Sequence, residues 1–133
     1  MKKLNSIYLL LFITAFYACE DDLSQPTYTS SNPDKVEIRI VNQNNYLLKN
    51  LTLNTGSNEK TYRDIFPNHK SAYQSFYYAY PTFSLSFEIN SKDFEYLDSN
   101  QTKYNKVDAG KYDAFIYDID TTLKTFTFRL EES

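Results

Sequence analysis

A single cysteine, Cys19, cannot close a disulfide within the chain, so whatever folds here folds without a covalent cross-link. A single histidine, His69, lacks the second histidine or the free thiols that the usual zinc ligand sets require. Tryptophan is absent, and only 2 glycines and 4 prolines occur among 133 residues, which excludes a collagen-like or low-complexity chain. Basic residues form no cluster: 14 Lys and Arg stand against 17 Asp and Glu, for a net charge of −3. The Lys/Arg stripe that neutralises phosphates is therefore missing, and nucleic-acid binding is excluded. What the chain has in excess is aromatic: 13 Tyr and 10 Phe, 17% with no Trp.

The most informative stretch is the N-terminus. Lys2 and Lys3 precede an apolar run from Ile7 to Ala18, and no acid occurs before Glu20. The run is shorter than the about 20 residues that a permanent membrane span needs. It fits the hydrophobic region of a secretory signal, about 7–15 residues with small residues at the cleavage site, and the lysines hold the leading end in the cytoplasm. Cys19 follows directly. Phe16-Tyr17-Ala18-Cys19 resembles the lipobox of bacterial lipoproteins, with Phe16 and Tyr17 departing from the common Leu-Ala/Ser form. Glu20-Asp21-Asp22 resembles the acidic export signal of Bacteroidetes lipoproteins, which directs them to the outer face of the outer membrane.

The resemblance covers residues 1–22. It implies a signal peptide over 1–18, lipidation of Cys19, and anchoring in the outer membrane at the cell surface, the periplasmic leaflet being the alternative. Acyl chains on Cys19 anchor stably because each buried methylene contributes about 0.8 kcal/mol and more than one chain is present. Removal of the leader leaves 115 residues with 12 basic and 17 acidic side chains, a charge of −5. That is one domain's worth of chain, and at this size folding buries roughly two thirds of the unfolded surface.

From Glu20 to Asp34 the sequence is Ser, Thr, Pro and acids with almost no apolar periodicity, so 19–34 reads as the lipidated cysteine and a flexible tether. Such a coil holds a domain roughly 20 Å from the membrane, and at most about 50 Å when extended.

Residues 35–133 alternate with a period of two. Val36, Ile38 and Ile40 oppose Glu37 and Arg39; Leu51 and Leu53 alternate with Thr52 and Asn54; Phe83, Leu85, Phe87 and Ile89 alternate with Ser84, Ser86, Glu88 and Asn90. Tyr112, Ala114 and Ile116 oppose Phe115 and Tyr117, and Phe126, Phe128 and Leu130 oppose Thr125, Thr127 and Arg129. Period two is the signature of half-buried strands. A third strand is expected over Glu59–Ile65, with Tyr62 facing opposite to Ile65. Phe94 to Leu97 forms a return strand after a turn at Asn90-Ser91-Lys92. Gly56 supplies the positive φ of a hairpin turn.

Residues 73–80 fit two patterns: Tyr73, Phe76, Tyr77 and Tyr80 fall on one helix face, yet aromatics suit strands and Pro81 forces Tyr80 to be extended. An extended segment is expected. About 7–8 short strands without a confident helix predict an all-β fold, an antiparallel β-sandwich of immunoglobulin-like or transthyretin-like type. The domain resembles small uncharacterised β-sandwich lipoproteins of the same phylum.

Catalytic signals are weak. His69 sits in a Pro-Asn-His-Lys loop, where a solvated surface side chain is expected, and no Gly-x-Ser-x-Gly elbow accompanies it. Asp93 with Glu95, and Asp118 with Asp120, share strand faces and suit either paired carboxylates or a polar sheet edge. No cofactor, metal or catalytic residue is expected, and the chain does not read as an enzyme. A two-layer sandwich has one core, so an extended 73–80 segment with aromatics on both faces must expose some of them. Tyr73, Tyr77, Tyr78 and Tyr80 form the candidate binding patch for a protein or glycan. The alternatives are an accessory subunit of an envelope assembly, an inhibitor-like protein, or, last, a carboxylate-based hydrolase.

Overall fold

The computed structural model describes residues 35–133. The signal peptide 1–18, Cys19, the acidic triplet Glu20, Asp21 and Asp22, and the tether to residue 34 lie outside the described residues. The eight strands are β1 (Val36–Asn42), β2 (Lys49–Asn54), β3 (Glu59–Thr61), β4 (Gln74–Phe76), β5 (Ser84–Ile89), β6 (Lys92–Tyr96), β7 (Gly110–Asp120) and β8 (Thr125–Glu132). They form two four-stranded sheets, ordered β4-β1-β7-β8 and β3-β2-β5-β6. The fold is a β-sandwich.

The apolar alternation read from the sequence is the core. Val36, Ile38 and Ile40 of β1, Leu51 and Leu53 of β2, all four apolar residues from Phe83 to Ile89, and Tyr112, Ala114 and Ile116 of β7 are buried. Burying a side chain of this kind contributes about 1.5–3 kcal/mol. Phe126, Phe128 and Leu130 of β8 are half-buried and close the layer beside β6. There Phe87 and Phe94 stack with ring centroids 5.3 Å apart, and Phe128 meets Phe83 at 4.7 Å and Tyr96 at 4.9 Å.

Among the described strand pairings one departs from the expected antiparallel pattern. β1 and β7 run parallel over seven residues, from Val36 opposite Gly110 to Asn42 opposite Ile116. The chain leaves the first sheet after β1, builds β2 and β3 on the second, and returns, so that β1 comes to lie between β4 and β7.

A second departure concerns inward-facing positions. Tyr62 and Ile65, expected on opposite faces, are both buried, as are Leu48 and Leu51, which are likewise three residues apart. The cause is Asn50, whose φ of 49° breaks the alternation, with a register shift between Lys49 and Thr52 against β5. An asparagine tolerates this left-handed conformation better than most residues, and a bulge there kinks the strand. The neighbouring chain follows the bend, pairing Ile65 with Leu48 and Tyr62 with Leu51. The Tyr62 hydroxyl then donates across the sandwich to the Ile38 carbonyl at 2.8 Å, and burial pushes its pKa up.

The segment 73–80 is extended, but only Gln74–Phe76 pairs as a strand. Gly56 has the expected positive φ, 86°, and the Asn90-Ser91 pair turns β5 into β6 with φ of 49° and 62°, the signs of a type I′ hairpin.

Asn42 at the end of β1 is fully buried. Its amide nitrogen donates to the carbonyls of Tyr46, Ile65 and Phe66 at 2.7, 3.2 and 3.1 Å, while its oxygen accepts from the Asn44 N–H at 3.1 Å. One side chain thus ties the β1–β2 turn to the loop beyond β3. Asn42→Ala leaves the Tyr46 carbonyl and the Asn44 N–H without this partner, the Ile65 and Phe66 carbonyls keeping their backbone donors, and is expected to lower stability by about 1–3 kcal/mol. Urea denaturation of the variant beside the parent measures this, and a loss below about 0.5 kcal/mol would show that the amide is not the tie.

Candidate functional site: the tyrosine segment

The tyrosine segment is held by its backbone. The Tyr78 carbonyl accepts from the hydroxyls of Thr55 and Ser57 at 3.0 and 2.8 Å, and the Ala79 carbonyl accepts from the Val107 N–H at 2.9 Å. Ala79 and Phe76 are buried, which fixes the alternation of the side chains between them. The site therefore rests on rigid chain rather than on an unpinned loop.

The four tyrosines have different surroundings. Tyr77 is 70% exposed, with the Lys35 ammonium 5.8 Å from its ring centre. Tyr78 and Tyr80 meet edge to face at 5.8 Å. The Lys106 ammonium lies 3.8 Å from the Tyr78 ring centre, and the Tyr78 hydroxyl donates to the Gly56 carbonyl at 3.3 Å. A cation over a ring face is attracted by the ring's quadrupole and occupies the surface that a ligand would stack on. Tyr77, the most exposed of the four and with its cation farther from the ring than that of Tyr78, is the ring left most available. Beside it Lys35, Asn58, Lys60, Ser75 and Phe76 line a small recess of about 110 Å³.

Tyr73 belongs to a different cluster, on the outer face of the β4-β1-β7-β8 sheet. The Arg39 guanidinium stands 4.8 Å from its ring centre and the Lys111 ammonium 5.1 Å. The parallel register places Arg39 opposite Asp113 and Glu37 opposite Lys111. Arg39 donates to both Asp113 oxygens, at 2.7 and 3.1 Å, and the Ser133 hydroxyl donates to Oδ1 at 2.6 Å. The Tyr73 hydroxyl bonds the Ser133 hydroxyl at 3.1 Å. Among the described residues no hydrogen bond or cation–π contact joins these partners to the other three tyrosines. The same face carries Arg129 between Phe115 and Tyr117, its guanidinium carbon 4.8 and 5.2 Å from the two ring centres. No periodicity in the sequence announces either cluster, because both depend on which strands become neighbours.

The remaining candidates are dispersed. His69 is exposed, with Nδ1 2.7 Å from the Pro67 carbonyl. Asp93 and Glu95 project from the outer side of β6. Asp118 sits at a bulge with φ of 51°, and the Asp120 carboxylate accepts from the N–H groups of Thr122 and Leu123 at 2.8 and 2.9 Å, which commits it to the β7–β8 turn. Among the described residues no three His, Cys, Asp or Glu side chains gather to hold a metal ion.

No protein-family model and no curated protein matches the chain. A solved structure, the NMR structure of a protein from Eubacterium rectale, is similar in fold, with a TM-score of 0.53 over 75% of this chain and 91% of that one at 14% identity. At that identity the likeness concerns the fold alone.

The Asp113 cluster makes stability depend on pH. The Arg39 hydrogen bonds hold the Asp113 carboxyl below the usual carboxylate range; burial opposes this, and Ser133 reinforces it. A carboxyl whose folded pKa lies below its unfolded value, about 3.9, stabilises the fold fully above that value and loses the contribution as pH falls through the folded pKa. Asp113→Asn is expected to be less stable at pH 7, and its stability should fall less than the parent's between about pH 4 and pH 2. Equal acid-side slopes in denaturation series at several pH values would contradict this.

Proposed function

We propose that this chain is a non-catalytic binding module of the bacterial cell envelope, anchored to the outer membrane through lipid on Cys19 and displayed at the cell surface. The observation that carries the binding role is Tyr77, a largely exposed ring on a backbone pinned on both sides, next to a recess of amide, hydroxyl and ammonium groups. A planar aromatic beside short polar groups suits a sugar ring, and the same surface suits a protein contact, since tyrosine adds area with little loss of side-chain freedom. The anchoring rests on the resemblance of residues 1–22 to Bacteroidetes lipoproteins.

Two measurements test the two halves. Cys19→Ala, expressed in a Bacteroidetes host, should appear as soluble or unprocessed protein, and partition into membranes identical to the parent's would end the anchoring claim. Tyr77→Ala should keep the fold and weaken capture by at least about tenfold on immobilised glycans or in cross-linking to neighbours on intact cells. Tyr73→Ala, whose ring is engaged by Arg39 and Lys111, should change capture less. Unchanged capture of every partner by Tyr77→Ala would remove the binding proposal.

A further inference from the structure

The four sheet edges are not alike. β3 and β4 are three residues each, and β6 is five. β8 is eight residues long and, among the described residues, pairs only with β7. It contains no proline and no positive φ; Phe126, Phe128 and Leu130 face inward, and its charges are Arg129 and Glu131 on the outer face and Glu132 at the end of the strand. A long edge with neither proline nor bulge can accept another strand when its charges are not set against like charges.

The direction of the free backbone groups can be read from the ladder. The Ser133 N–H donates to the Lys111 carbonyl, so Ser133 and every second residue before it turn their backbone groups toward β7. The N–H and C=O groups of Phe126, Phe128, Leu130 and Glu132 therefore point to the open side. A strand arriving there must pair with those residues.

We propose that the β8 edge pairs antiparallel with β8 of a second copy of this chain, about a two-fold axis at Phe128. In that register Phe128 faces Phe128 of the second copy and Phe126 faces Leu130, each pair exchanging two backbone hydrogen bonds. On the outer face Thr127 meets Arg129, and Thr125 meets Glu131. Neighbouring registers are worse. Centring on Arg129 sets two arginines against each other, centring on Leu130 sets Phe128 against Glu132, and centring on Thr127 overlaps only Thr125–Arg129 of β8 and sets Lys124 against Leu130. Like charges directly opposite are destabilising, and matched apolar pairs contribute roughly 0.2–1 kcal/mol each. The register centred on Phe128 thus pairs the most of β8 with itself, with all three apolar residues matched. Pairing also shields Phe126, Phe128 and Leu130, which the single copy leaves half-exposed. The inference uses none of the tyrosine segment and stands or falls without the binding role.

Disulfide trapping on intact cells tests both the pairing and its register. Residues facing each other in a hydrogen-bonded pair have Cα atoms about 5.5 Å apart, within disulfide reach. Phe128→Cys should give a covalent dimer under mild oxidation, and Leu130→Cys should not, with the parent carrying Cys19 alone run as the control. Trapping through Leu130→Cys instead, or equal trapping at both positions, overturns the register. Because Phe128→Cys also thins the core, sedimentation of the unsubstituted full chain in detergent supplies a second reading. A mass of two chains at micromolar concentration is expected, with slow hydrogen exchange at Phe126, Phe128 and Leu130 that is lost on dilution. A single-chain mass overturns the proposal, and slow exchange at those amides in a single chain would mean that another segment covers the edge.

Discussion

The apolar layer between the two sheets carries this domain. No disulfide is available to restrain the unfolded chain, so the favourable term has to come from side chains removed from water. The layer is rich in phenylalanine: Phe76, Phe83, Phe87 and Phe94 are buried, and Phe126 and Phe128 lean over its rim. Aromatic rings bury large areas each, and their stacked and edge-on contacts add about 0.5–1.5 kcal/mol beyond area. The aromatic excess of the composition is therefore largely the material of the core, and only part of it remains for the surface.

That division explains what could be read without coordinates. Each half-buried strand announced its inward face, because alternation and burial are the same fact seen twice: Val36-Ile38-Ile40 and Phe83-Leu85-Phe87-Ile89 are the clearest cases. The reading failed where backbone conformation breaks alternation. Asn50 sits in the left-handed region and brings Leu48 and Leu51 to one side, and Tyr62 and Ile65 follow across the ladder. An asparagine inside a strand pattern is weak notice of a bulge.

The candidate site shows the same limit in another form. Composition singled out the tyrosine run and period two required that some rings face outward. The surroundings of each ring are long-range: Lys106 reaches Tyr78 from the loop before β7, and Arg39 reaches Tyr73 because β1 lies against β4. Tyr73 and Tyr77 are close in sequence yet meet different chemistry, one braced among Arg39, Lys111 and Asp113, the other open beside Lys35 and Lys60. Periodicity gives the face a residue occupies; neighbours across the sheet decide whether that face is free.

The parallel ladder of β1 has a kinetic consequence. Its partner residues begin at Gly110, 74 positions after Val36, and until that stretch of chain has emerged β1 has only β4 and the short bridge around Lys70 to pair with. Closing so long a loop comes before any contact that rewards it, and folds dominated by distant pairings form slowly. β1 thus waits for a distant partner, while β2, β3, β5 and β6 can complete the other sheet without it.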